Sequence, residues 1–389
     1  MLLLQAPFAQ FREGPATVRY GADMTPEPEL RIRGLDARPV LVPMRRPLRT
    51  SAGAIGRAPL LLIDLHTTAG VTGRAYLFGI QPFTLAPLRS LVESLGAMVG
   101  GEALAPVAIE RTLRARLTLL GQHNLAGMAL SGIDMAAWDA LARARGMPLA
   151  RLLGGQPGRV RAYNSNGLGI MTPAAAAAEA RELVAEGFAA VKVRLGRASS
   201  AEDLAAVRAV REAIGDDVLL MSDFNQALTV VEAIGRGRRL DGEGLAWIEE
   251  PVRADDLAGC ARVAVDLRTP VQIGENFSGV FQMREALALG ASDLVMPDLQ
   301  RIGGVSGWMR AAALAQAFGV EMSSHLFPEY SAHLLAVTPT RHWLEYVDWA
   351  APILREPLAV ESGHAVVPDR PGAGLEWDEG AVARFKYEG

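Results

Sequence analysis

The hydrophobic pattern changes character twice along the chain. From Arg31 to Gly79 the apolar residues come in extended runs, ARPVLVPM, PLLLIDLH and VTGRAYLFG, which read as three strands of a small antiparallel sheet. Between the first two lies RRPLRTSAGAIGRA, residues 45–58, with Gly53, Gly56 and few large side chains. This stretch reads as a loop, either an ordinary long hairpin connection or a lid able to close over a ligand, with Leu48 and Ile55 as its main apolar residues. From about Leu88 to Leu153 the period lengthens to that of a helix. Ile133, Ala137, Leu141 and Ala144 recur three or four apart on one face, and Asp134 and Trp138 beside them read as capping and packing residues. Gly154-Gly155, followed by Pro157 and Gly158, breaks the pattern.

Beyond Val160 short apolar runs alternate with helical stretches, the mark of a parallel sheet. The runs VRAYN, AAVKV, DVLLMSD, LAWIE, PVQIG, DLVMPD, VEMSSH and WLEYV favour a closed barrel over an open sheet. The helices between them include SAEDLAAVRAVREAIG, capped by Ser199 or Ser200. The expected division is a poorly ordered tail over 1–29, an α+β domain over 30–155, a barrel over 156–348, and a turn-rich segment over 349–389 that returns to the first domain. The start, MLLLQAPFAQF, lacks a basic flank and makes a poor signal peptide, and Met24 offers an alternative start.

Composition narrows the function more than the fold. The chain has 389 residues, half of them hydrophobic, and a formal net charge of −4. That balance gives no electrostatic case for nucleic acid or an anionic membrane. No apolar run reaches the ~18 residues of a membrane span. Cys260 is the only cysteine, so no intrachain disulfide forms and a reducing, cytoplasmic setting fits.

The chemistry gathers at the ends of the later strands. LLMSDFNQ, LAWIEEPV and PVQIGENF each run from apolar residues into carboxylates, and Asp223, Glu249 and Glu275 are spaced 26 residues apart, twice. That interval is about one strand–helix unit, and successive strand ends of a barrel face one mouth. Three carboxylates there repel one another unless a cation sits between them. Oxygen-only ligands select Mg²⁺ or Mn²⁺. Lys192 and Arg194, two apart in AVKVRLG, share a strand face and point into the same mouth. Asp298, Arg301, His325 and Glu345 follow at later strand ends, whereas His333 and His342 read as structural. A hard cation, a lysine and a histidine backed by an aspartate together suit the removal of a proton next to a carboxylate and the holding of the dianion that results.

At these residues, and in the stretches SGIDMAAWDAL, IGGVSGW, SSHLF and VTPTRHWLE, the chain resembles the enolase superfamily, within its mandelate racemase subgroup. The resemblance runs from about Arg31 to the C-terminus. It implies a modified (β/α)7β TIM-like barrel with an N-terminal α+β capping domain, and a metal held by Asp223, Glu249 and Glu275. It also implies that Lys192 and Ser165 handle the substrate carboxylate, that His325 with Asp298 is an acid/base, and that Glu345 donates a hydrogen bond to the substrate. Asn225 and Glu250 would be mouth residues, and a homo-oligomer built from dimers, up to an octamer, is expected.

One departure matters. The second lysine of the subgroup's Lys-x-Lys pair is the base opposite histidine, and here it is Arg194, which keeps its proton. Arg301 stands where the subgroup has a helper lysine. Leu48 and Ile55 match apolar lid positions, with Phe78 nearby, and Ile80 replaces an aromatic pocket residue. Arg46, Arg49 and Arg57 read as facing water, with contact to a second anion as the alternative. The expected activity is racemisation of an apolar or aryl 2-hydroxy acid. Two alternatives stand beside it: an acid-sugar dehydratase using His325 as its sole acid/base, and a barrel that only binds carboxylates.

Overall fold

The computed structural model describes residues 30–388, so the tail expected over 1–29 lies outside the described residues. Three antiparallel strands open the chain: β1 (Ile32–Thr50), β2 (Gly53–Thr67) and β3 (Thr72–Phe78), in the order β1-β2-β3. Four helices follow, α1 (Leu85–Met98), α2 (Pro106–Arg116), α3 (Asn124–Ala144) and α4 (Leu149–Leu152). Helix α3 is alanine-rich and buried along most of its length, which lets β3 approach closely. A Cβ at Gly73 would lie 2.0 Å from the Ala136 carbonyl oxygen, so only glycine fits that crossing.

The stretch over residues 45–58 is not a loop. Strand β1 continues through it, and Leu48 pairs with Ile55, Arg49 with Ala54 and Thr50 with Gly53 across a two-residue turn. The Thr50 hydroxyl accepts the Ala52 N–H at 3.1 Å, closing that turn. The tip docks on the barrel, where Ile170 N–H donates to the Arg49 carbonyl at 3.0 Å. Arg46 is a second correction. It does not face water but lies buried, 3.0 Å from Glu186 and 3.3 Å from Glu182. Arg49 and Arg57 are exposed.

Strands and helices then alternate. They are β4 (Arg159–Asn164), α5 (Pro173–Ala185), β5 (Ala190–Arg194), α6 (Ser200–Ile214), β6 (Leu219–Asp223), α7 (Val230–Leu240), β7 (Leu245–Glu249) and α8 (Leu257–Asp266). Next come β8 (Val271–Ile273), α9 (Val280–Leu289), β9 (Leu294–Val295), α10 (Leu299–Ile302), α11 (Gly304–Phe318), α12 (Pro328–Ala336) and β10 (Leu344–Tyr346). Strands β4 to β9 are parallel neighbours, and β10 pairs back onto β4. Ser199 is the N-cap of α6.

VEMSSH does not form the strand expected of it. Met322 makes single bridges to Val295 and Arg341, and these carry the circuit from β9 round to β10. The reason is chemical. The Ser323 and Ser324 N–H groups still reach the Val295 and Trp343 carbonyls, at 2.8 and 2.9 Å, while their hydroxyls take the Trp343 and Glu345 N–H groups at 3.4 and 3.1 Å, so side-chain bonds interleave with backbone ones and the ladder stays irregular. Tyr163, Ala190, Met221, Trp247 and Trp343 fill the barrel interior as a separate buried cluster. The fold is therefore a modified (β/α)7β barrel under an N-terminal α+β cap.

Two seams join the parts. Asp134 on α3 accepts the Ser306 N–H at 2.9 Å and its hydroxyl at 2.6 Å, capping the start of α11 from the other domain. Trp138 donates to the same hydroxyl at 2.9 Å. After the barrel, β11 (Val360–Glu361) and β12 (His364–Val366) form a hairpin along the first half of β4. The chain then crosses to the cap, where Glu376 meets Arg74 and Arg143, each at 2.6 Å, before α13 (Glu379–Arg384).

Candidate active site

Each strand of the barrel delivers a polar side chain at its C-terminal end, above the plug of aromatic residues. β6, β7 and the turn after β8 bring Asp223, Glu249 and Glu275 together, with one oxygen of each within 4.8 Å of the others. Neighbours orient them. Asn225 donates its backbone and side-chain N–H to Asp223 at 2.8 and 2.9 Å, Trp247 donates to Glu249 at 3.0 Å, and Asn276 donates to Glu275 at 3.3 Å. From β5, the Lys192 ammonium lies 2.6 Å from Glu249, 2.9 Å from Glu345 and 3.3 Å from Asp223.

One lysine does not balance this many carboxylates. Burial pushes the Glu249 carboxyl up to about 8; Lys192 opposes this, and the crowding of Asp223, Glu345 and Glu275 adds to it. Glu250 is raised well above the usual carboxylate range, by burial first and then by Glu275, and its Oε2 has no hydrogen-bond partner. The Asn225 side-chain oxygen is likewise buried and unpartnered. An oxygen-only cage short of positive charge fits Mg²⁺.

His325 faces the same space. Its Nδ1 lies 2.7 Å from Asp298, while Nε2 lies 3.5 Å from Glu275 and 3.8 Å from Glu345. Burial works against its charged form, but Glu275, Glu345 and Asp298 outweigh burial and raise the imidazole to about 9. Asp298 is itself fixed by the Gln300 and Arg301 N–H groups at 2.8 and 3.1 Å, as the cap of α10.

Glu345 lies at the end of β10 beside Lys192 and His325. It accepts hydrogen bonds here, from Ser165 Oγ at 2.7 Å, Lys192 at 2.9 Å and the Leu326 N–H at 2.9 Å. Burial would raise this carboxyl, but Lys192 and His325 outweigh it and hold the group far below the usual range. Arg194 is buried and committed to the segment after β4. It donates to the Gly167 carbonyl at 2.7 Å, the Ser165 carbonyl at 3.2 Å and the Ser165 hydroxyl at 3.4 Å.

The cavity above these groups holds about 410 Å³. Leu48, Ile55, Phe78, Leu326 and Trp349 form its apolar wall, while Asn225, Arg301 and Gln300 line it elsewhere. Sequence reasoning missed Gln300, which clasps the Phe78 backbone from both sides, accepting its N–H at 3.0 Å and donating to its carbonyl at 3.3 Å. It also missed Gln226, Asn276 and Trp349; only Gln226 and Asn276, each directly after a singled-out residue, carried a signal. The mouth is conformationally strained: Asn225, Gln226, Glu250, Leu326 and Phe327 all have φ between 39° and 63°. His333 and His342 lie elsewhere; His333 accepts the Ala150 N–H at 3.2 Å, and His342 meets Ser323 Oγ at 3.2 Å.

Among the described residues no helix is long and apolar enough to cross a membrane. Two family models cover the chain: the mandelate racemase/muconate lactonizing enzyme N-terminal domain over residues 33–154, and the enolase C-terminal domain-like model over 175–381. A solved enolase from the alpha proteobacterium bal199, with bound magnesium, is 51% identical and covers 92% of this chain and 100% of its own, with a TM-score of 0.91. A Bradyrhizobium enolase complexed with magnesium and mandelic acid is 44% identical, covers 92% of this chain and 99% of its own, and has a TM-score of 0.89. The L-talarate/galactarate dehydratase of Salmonella typhimurium is 38% identical over 67% of this chain, a match spanning 66% of that enzyme's length. Magnesium is the family's metal, and the chain belongs to the enolase superfamily, within its mandelate racemase subgroup.

Proposed function

We infer that the protein dehydrates a 2,3-dihydroxy carboxylate, with His325 as its one acid/base. The observation that carries this reading is Arg194. A racemase needs a proton donor on each face of the α-carbon. Arg194 stands at the position that in the subgroup supplies the base opposite the histidine, but its guanidinium keeps its proton and is held by two carbonyls and a hydroxyl. Elimination needs only one base.

Asp223, Glu249 and Glu275 would hold Mg²⁺, which when bound supplies positive charge against the charge developing on the substrate carboxylate. Lys192 adds a second cation to the same oxygens, and Ser165 a hydroxyl donor. Asp298 accepts from Nδ1 of His325, so Nε2 is the atom left to meet substrate. Once the charge of the acidic trio is offset, Nε2 takes the α-proton. It then returns that proton to the β-hydroxyl as the C–O bond breaks. Water leaves, and the enol that remains tautomerises to a 2-keto-3-deoxy acid.

A second reading is racemisation of an apolar or aryl 2-hydroxy acid. The apolar wall of Leu48, Ile55, Phe78 and Trp349 favours it, as does the solved relative complexed with mandelic acid. Proton NMR in D₂O with Mg²⁺ separates the two readings, using each mandelate enantiomer and a panel of sugar acids. Conversion of a sugar acid to a 2-keto-3-deoxy product is the expected result. Exchange of both mandelate enantiomers with loss of optical activity would replace it with racemisation. His325→Asn is expected to abolish α-proton exchange in the folded protein; exchange retained in that variant would sink the base assignment.

A further inference from the structure

The catalytic cavity does not end at Arg301. Beyond it lies a second cavity of about 510 Å³ between the cap and the barrel, and Ile80, Gln81, Gln226, Asn276 and Arg301 line both. The two spaces differ in chemistry. The first has an apolar wall. The second presents amides and hydroxyls, among them Gln81, Asn124, Gln226, Gln282 and Ser278. Its one carboxylate, Asp255, is already held by Arg253 at 2.5 and 2.9 Å.

Arg301 is the cation between them, and no carboxylate neutralises it among the described residues. One of its terminal nitrogens donates to the Asn276 side-chain oxygen, and its Nε is buried without a partner. The other cations of the site are more fully held: Lys192 meets three carboxylates, and Arg194, though its Nε is also buried without a partner, spends both terminal nitrogens on the Ser165 and Gly167 carbonyls and the Ser165 hydroxyl. A guanidinium left without a carboxylate where the two cavities meet suits a planar anion approached edge-on. Gln226 and Gln282 spend their side-chain oxygens on the Ala254 and Ser278 N–H groups, leaving their NH₂ groups for hydroxyl oxygens.

The geometry points to a distal subsite in which Arg301 takes a second carboxylate and the amide-lined cavity takes the hydroxylated carbons beside it. This rests on the dehydratase reading and specifies its substrate class: a polyhydroxylated dicarboxylate. The apolar wall then meets the C–H faces of the carbon chain.

Calorimetric binding to the Mg²⁺-loaded protein tests this. The probes are a six-carbon tetrahydroxy dicarboxylate and the matching acid in which the far carboxylate is a hydroxymethyl group. The diacid is expected to bind at least ~10-fold more tightly. Arg301→Met should bring the two within about threefold, since only the diacid's far group loses a charged partner. Gln282→Leu lies away from the Asp298–His325 pair and should weaken both ligands while preserving their ratio. Equal binding by the wild type, or an unchanged ratio in Arg301→Met, would overturn the subsite. Binding does not need turnover, so the two inferences fail separately. Loss of the diacid preference with exchange intact removes the subsite alone. Preference retained without α-proton exchange removes the reaction assigned to His325 and leaves the subsite standing.

Discussion

At Arg194 three oxygens share one guanidinium, and no other side chain supplies donors in that fork. Arg194→Lys would put an ammonium in the same buried place, where desolvation lowers its pKa and makes it a base. The variant is expected to gain α-proton exchange on the face opposite His325, about 10- to 100-fold slower than on the His325 face. Stability should fall by about 1–2 kcal/mol for the lost carbonyl bonds. Enantiomer-resolved exchange in D₂O, alongside urea unfolding, checks both; a folded variant that still exchanges on one face only would show that arginine is not what limits the second face. The carboxylates of this site were legible because each ends an apolar run, and an even interval predicts a shared mouth. Gln300 was not legible. It holds the Phe78 backbone, and an amide that binds main chain leaves no spacing or charge pattern to read.

The hairpin of β1 and β2 shows why elements are harder to read than residues. Its outer half carries Gly53, Gly56, Pro47 and several arginines, a composition that argues for a loop. The structure pairs Leu48 with Ile55 all the same, and the tip beside them docks on the barrel through the Arg49 carbonyl. The opposite error arose at VEMSSH, where serine hydroxyls interleave with the backbone bonds and leave only isolated bridges. Arg46 ties the hairpin to α5 through Glu182 and Glu179 and to the residue capping that helix, Glu186. Two of those partners are a fifth to a quarter exposed and Glu182 is largely so, which keeps the energy of the pairs modest. Arg46→Met is therefore expected to cost about 1 kcal/mol of stability, yet to raise KM about fivefold or more with kcat within twofold. Steady-state kinetics on the working substrate reads this directly. An unchanged KM would mean that the hairpin keeps its place over the cavity without this anchor.

The whole molecule depends on seams between parts that fold far apart in sequence, and one of them is sensitive to acid. His333 on α12 accepts the Ala150 N–H of α4, and it is fully buried where the barrel meets the end of the cap. Burial holds its pKa down to about 4, with the nearby Arg370 charge acting in the same direction. A folded-state value below the ordinary 6.5 means that the unfolded chain takes up the proton first. The stability from keeping this imidazole neutral is therefore complete above about pH 6.5 and is lost as pH falls towards 4, up to about 3 kcal/mol in all. Buried acids such as Asp134, raised to about 7, work in the other direction and weaken the fold as pH rises through that value. Their contributions cancel when two variants are compared at the same pH. His333→Gln keeps an acceptor for Ala150 but cannot be protonated, so its loss of stability between pH 6.5 and 4.5 should be smaller than the wild type's by about 2 kcal/mol. Urea midpoints at pH 7, 5.5 and 4.5 measure the difference. Parallel acid limbs in the two proteins would mean that the seam opens for another reason, and that His333 is already reached by water before the barrel and cap separate.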